Sequence, residues 1–266
     1  MPGIYITAIL TTIVAAAIFG TLIHFLRLPA RERLLWMAAM LTLPLQPLVF
    51  YYLRLPLNHC LTAHPGFQSA LYSWWNTCSA PLTEEPAKLL VLLIPAVRRD
   101  IRPENFVRYA LAIGVGFAIG EMWFIANGLA HNPAWARVPF YQFSGYAIER
   151  LMVCVFHSAF LAVTLWQLRR RFPLGLAGAM ALHWLGNFPI WLKDWNVFGL
   201  GQAVWFSIVE GWTMLYFTAA IGLLCYLGFG RGTPPNEAVE RMAAGAAVSP
   251  NRKPMAAAIV HRDRHL

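Results

Sequence analysis

Charge is scarce in this chain. Asp, Glu, Lys and Arg make up 12% of its 266 residues, while 58% are hydrophobic. So little charge excludes an ordinary soluble domain and leaves one polytopic membrane domain with a short tail. Acidic residues are the scarcer kind, 12 against 21 basic, for a net charge of +9. That excess suggests nucleic acid, but the basic residues cluster between apolar runs, where they set topology, so no nucleic-acid partner is expected. Cysteine is limited to four, without metal-binding spacing. Cys154 and Cys225 fall in apolar helices, and Cys60 and Cys78 fall on the outer side, where a disulfide between them could form. There is no internal repeat, and no His-Glu-x-x-His pair, the usual local zinc-protease signal. The first apolar run, Ile4 to Leu26, is long enough to span and lacks a small-residue cleavage site followed by a soluble domain, so it reads as a span rather than a signal peptide.

What is present in quantity is long apolar runs. A spanning helix needs about 20 apolar residues, and runs of that kind fall near 4–26, 34–53, 69–97, 105–129, 150–168, 173–192 and 202–229. The third contains Pro81 and Pro86 around Thr83, Glu84 and Glu85. Proline removes a helical hydrogen bond and crowds the preceding turn, so a break is expected between a piece over 69–79 and a lower helix over 85–97. The predicted fold class is all-α, a polytopic transmembrane helical bundle of about seven spans with a broken third helix. Sixteen of the 21 basic residues lie in the connections after spans one, three and five and after span seven. The positive-inside rule then places the N-terminus outside and the C-terminus in the cytoplasm. Residues 1–232 form the membrane domain. Residues 233–266 are rich in Ala, Pro and Arg and read as a basic, disordered cytoplasmic tail in reach of anionic lipid.

Against this apolar background a few polar residues stand out: Glu84, Glu85, Lys88, Glu121, His157, His183, Asn187 and Glu210. Ionisable groups at membrane depth cost a few kcal/mol each and mark functional sites. At about 1.5 Å per helical residue, Glu85 lies roughly 20 Å from Arg98, Glu121 roughly 20 Å from Arg108, and His157 roughly 18 Å from Arg169. His183 and Asn187 lie roughly 15 and 21 Å from Pro173 and share one helix face. Four helices thus place polar groups in one layer. Glu84 and Glu85 point about 100° apart, so at most one looks straight into a shared site. Lys88 reads as their counter-charge, and Glu210, with no motif around it, as an interhelical hydrogen bond. Arg150, seven residues before His157, is in reach of Glu149 or Glu121.

These residue types permit two chemistries. A buried carboxylate, Glu85 or Glu84, can take a proton from water with His157 as water partner, while His183 and Asn187 donate hydrogen bonds to a developing oxyanion. Alternatively two histidines and one carboxylate bind zinc with water in the fourth position. The metal-free reading is favoured, with zinc as the alternative.

The series Glu84-Glu85-Pro86-Ala87-Lys88, Gly116-Phe117-Ala118-Ile119-Gly120-Glu121, His157 and His183-Trp184-Leu185-Gly186-Asn187 resembles the motifs of PrsW-type intramembrane proteases. That family lies within the larger group of CAAX prenyl endopeptidases and bacteriocin-processing membrane proteins. The resemblance covers about residues 70–190. It implies an endopeptidase of a bacterial cell membrane whose paired-glutamate motif activates water, with the histidines and Asn187 assisting. It also implies a membrane-anchored protein substrate, an anti-sigma factor being the kind cleaved by such proteins. Met122 stands where the family pattern has asparagine, which leaves Glu121 either catalytic or orienting. Two readings from other classes remain: a proton-coupled transporter, for which intramembrane Glu and His also serve, and a non-catalytic scaffold or immunity protein. A transporter more often shows paired interruptions in two halves, and only one interruption is visible.

Overall fold

At membrane depth the backbone has no water to bond, so apolar runs close their hydrogen bonds internally as helices. A computed structural model of the chain describes residues 1–26, 29–63 and 69–229, which are helical with no strand among them. The chain divides into Met1–Gly228 and Phe229–Leu266. The expected tail, together with Arg27, lies outside the described residues. The helices are α1 (Gly3–Phe25), α2 (Glu32–Thr42), α3 (Leu45–Val49), α4 (Leu55–Thr62), α5 (Ser69–Lys88), α6 (Pro95–Asp100), α7 (Phe106–His131), α8 (Ser144–Trp166), α9 (Phe172–Asp194) and α10 (Gln202–Phe229).

Five helical stretches are long and apolar enough to cross a membrane: Gly3–Phe25, Glu32–Thr62, Phe106–His131, Phe140–Trp166 and Gln202–Phe229. They fall on five of the seven expected spans. The other two expected spans correspond to α5 and α9, and the residues that lower their apolarity are those singled out above: Glu84, Glu85 and Lys88 in α5, His183 and Asn187 in α9.

Two boundaries differ from expectation. The second span does not end near 53. A π turn over Phe50–Arg54 joins α3 to α4, and the helical stretch runs on to Thr62. The third span is interrupted, but not at Pro81. Helix α5 continues through Pro81 and Pro86, tightens into a 3-10 turn over Leu89–Leu93, and breaks at Ile94, whose ψ of 109° is extended. The residue before a proline avoids the helical region, and Pro95 suits the first turn of α6. The hydroxyl of Thr83 donates to the Ser79 carbonyl at 2.6 Å just after Pro81, and α9 packs along α5. Such support lets membrane helices tolerate proline.

Helix α7 is central, buried along most of Phe106 to Met122 and packed against α1, α2, α3 and α8. Its glycines allow the closest approach. A Cβ on Gly116 would lie 2.2 Å from the Ala39 carbonyl oxygen, and one on Gly120 would lie 1.9 Å from that of Leu43. Small residues at such crossings let helix backbones meet in a membrane. Gly120→Ala is therefore expected to destabilise the fold by about 1–3 kcal/mol or more through overpacking against rigid backbone, measurable as a lower unfolding midpoint in detergent. An unchanged midpoint would contradict this contact.

Polar groups tie the connections at one end. The Asp100 carboxylate accepts from Tyr109 Oη at 2.6 Å and from the Arg31 amide at 3.0 Å. Asn105 Nδ2 donates to the Pro29 carbonyl at 2.7 Å, and Arg169 donates to that of Ile101 at 3.0 Å. The basic connections after α1, α6 and α8 thus meet at one end of the helices. At the other end, Tyr5 Oη donates to Asn127 at 3.0 Å and Thr7 to the Phe140 carbonyl at 2.9 Å.

Candidate active site

Helical spacing sets up each part of the polar cluster. On α5, Glu85 and Lys88 are three apart and share a face. Lys88 Nζ donates to Glu85 Oε1 at 2.6 Å, with Lys88 0% and Glu85 1% exposed. The ammonium also lies 5.2 Å from the Phe117 ring centroid on α7 and 5.8 Å from that of Phe160 on α8, within cation–π range. Glu84 points elsewhere, and its Oε1 accepts from Arg54 Nη1 at 2.8 Å.

The two adjacent glutamates are joined by one imidazole. His183 on α9 donates from Nδ1 to Glu85 Oε1 at 2.7 Å, and its Nε2 faces Glu84 Oε2 at 4.0 Å. The expectation that only one of the pair reaches the site is corrected by this: because His183 bridges the angle between them, both do. His157 on α8 is fixed in the same way. Its Nε2 donates to Glu121 Oε2 at 2.8 Å, and Glu121 Oε1 accepts from Arg150 at 3.0 Å. Arg150 also pairs with Glu149, so it engages both partners considered for it. The two imidazole centroids are 5.5 Å apart, with Phe160 stacked on His183 and Phe117 edge-on to His157.

One ligand atom from each of Glu84, His157 and His183 lies within 4.8 Å of the others. Each histidine has one nitrogen held by a carboxylate outside this triad, which fixes its tautomer and leaves the other nitrogen without a hydrogen bond. Three buried atoms among these side chains have no hydrogen-bond partner among the described residues: Glu85 Oε2, His157 Nδ1 and Arg54 Nε. Buried polar atoms are ordinarily satisfied, and the first two are the ones in this cluster that a ligand could engage.

The structure therefore brings Glu84, Glu85, Glu121, His157 and His183 into one cluster. Asn187 lies one turn beyond His183 on α9, half-buried, with no hydrogen bond among the described residues. Glu210 lies on an exposed part of α10, and the interhelical bond expected of it is not made. Cys60 and Cys78 are both free. Arg54 does not stand out in the sequence, where it is one basic residue between apolar runs. The available signal was that Leu55-Pro56-Leu57 continues the apolar run without a polar turn.

Residues 30–212 match a family model described as PrsW family intramembrane metalloprotease. No curated protein matches the chain, and no solved structure does. The matched stretch contains every member of the polar cluster and covers well over half of the sequence, so the chain, an integral membrane protein, belongs to the PrsW family of intramembrane proteases.

Proposed function

We propose that this protein is a zinc-dependent endopeptidase that hydrolyses a peptide bond of a membrane-anchored protein. The observation that carries this reading is the pair of carboxylate-anchored imidazoles, each with its second nitrogen free, beside the carboxylate of Glu84. Two histidines and one glutamate with an open fourth position are a catalytic zinc set, and an outer carboxylate on each histidine is its usual support. The unpartnered, buried His157 Nδ1 fits such a group. Glu84, His157 and His183 would hold the ion. When bound it polarises the scissile carbonyl and lowers the pKa of water.

The chain's own residues divide the remaining work. Glu85 keeps Oε1 on Lys88 and His183, which leaves Oε2 to accept the proton of the attacking water and pass it to the leaving amine. Glu121, held by Arg150, orients His157 rather than touching substrate. Asn187 is the neutral donor for the developing oxyanion, a role that His183 gives up because Nδ1 is on Glu85 and Nε2 would hold the ion. Phe117 and Phe160 keep the Lys88–Glu85 pair dry. The basic end of the helices faces the cytoplasm in this reading.

One observation favours the metal-free glutamate mechanism instead. Arg54, Lys88 and Arg150 each pair with one of the three carboxylates, so Glu84, Glu85 and Glu121 are balanced without a metal ion. Metal analysis of purified protein, with chelation and zinc re-addition during cleavage of a co-reconstituted membrane substrate, separates the two. We expect stoichiometric zinc, loss of cleavage on chelation and recovery with zinc. Full activity in metal-free protein would sink the zinc assignment.

A further inference from the structure

We propose that Arg54 is a positioning residue of the site: it holds Oε1 of Glu84 so that only Oε2 is presented to the ion. The inference rests on the reading of Glu84 as a zinc ligand. Its basis is that the two oxygens of Glu84 have different partners. Oε1 accepts from Arg54 Nη1 at 2.8 Å, and Oε2 faces His183 Nε2 at 4.0 Å. The second distance is too long for a hydrogen bond. It is short enough for both atoms to reach one ion, since zinc–nitrogen and zinc–oxygen bonds are each about 2.0–2.2 Å. A carboxylate free to rotate could bind through either oxygen or both, and the guanidinium removes that freedom.

The local fold serves this placement. Arg54 closes the π turn Phe50–Arg54, the one π turn among the described residues. Such turns are rare and concentrate at functional sites. The turn shifts the helix register just where α3 passes into α4, and Arg54 is largely buried there although Tyr51, Tyr52 and Leu53 before it are exposed. The guanidinium lies 5.5 Å from the Phe50 ring centroid, and Phe50 packs at 4.6 Å against Phe124 of α7, the helix that also carries Glu121. Arg54 Nε is buried without a partner. Leaving a guanidinium N–H unsatisfied is unfavourable, and the position keeps the Glu84 ion pair in spite of that cost. The contact runs from Nη1 to Oε1; a lysine could supply the charge but not the fixed direction that the planar guanidinium gives this N–H.

The test uses the full chain in detergent, with zinc affinity from chelator competition and the visible spectrum of the cobalt(II)-loaded protein as readouts. Arg54→Gln is expected to weaken zinc binding about 10–100-fold, the usual effect of removing an outer-shell partner, and to change the cobalt spectrum. Arg54→Lys is expected to recover most of the affinity while keeping an altered spectrum. Wild-type affinity and spectrum in Arg54→Gln would overturn the role of Arg54 while leaving the zinc site standing. A wild-type protein that binds neither metal would overturn both. Should Arg54→Gln fail to fold, Arg54→Lys decides: a wild-type spectrum there overturns the proposal.

Discussion

Glu85→Gln is expected to lower kcat/KM for cleavage of a membrane-anchored substrate by about 10²–10⁴-fold, the usual contribution of a general base, while bound zinc is retained. Glutamine preserves the shape of the side chain and one acceptor oxygen, so His183 Nδ1 and Lys88 still find a partner. It cannot take a proton on the atom that corresponds to Oε2. Glu84→Gln, one residue away, should behave differently and lose zinc itself, because a neutral amide is a poor ligand for the ion. The pair of variants separates two neighbouring carboxylates by role. Metal content measured beside the cleavage rate decides the matter: loss of zinc in Glu85→Gln with retention in Glu84→Gln would reverse the assignment, and full activity in both would remove these carboxylates from the chemistry.

The largest stability effect is expected from Lys88→Met. Lys88 and Glu85 are buried together, and the ammonium is the cation on that carboxylate. Removing one member of a buried pair leaves an uncompensated charge and costs about 3–5 kcal/mol. Replacing both with neutral groups avoids that penalty, so Lys88→Met with Glu85→Gln should be markedly more stable than Lys88→Met alone. The interaction between the substitutions, read from unfolding in detergent, measures the coupling of the pair. Additive effects would show that Lys88 acts through packing on Phe117 and Phe160 rather than through charge.

Much of this was legible because a membrane leaves few ways to hide polarity. Apolar length identifies the helices, and depth along them predicts that Glu85, Glu121, His157 and His183 come together, as they do through the Glu85–His183 and Glu121–His157 contacts and the adjoining imidazoles. Helix direction within that layer was not legible, because neighbouring residues at 100° were judged against one target rather than against an imidazole placed between them. Arg54 was lost for a related reason. A single basic residue between apolar stretches looks like a topology marker, and nothing local announces the π turn that aims it inward. Proline within a helix is the obvious breaker, so the sequence points to Pro81 for the break in the third span. The weaker signal at Ile94-Pro95 prevailed because packing against α9 supports α5 through its prolines, whereas Ile94 is restricted by the following ring itself.

Placing three charged residues and two prolines on α5 has a consequence for how the protein is made. Lys costs about 2.5–3.5 kcal/mol at the centre of a membrane helix, and the glutamates add to this, so α5 alone is expected to insert poorly. Lys88 and Arg54 are at hand early to neutralise its carboxylates. The imidazole that engages both glutamates arrives 98 residues after Glu85, and the rings of Phe117 and Phe160 also follow. Helix α5 is thus expected to settle only as α7, α8 and α9 emerge, which would make assembly of the polar cluster and completion of the helical bundle one late event in biogenesis.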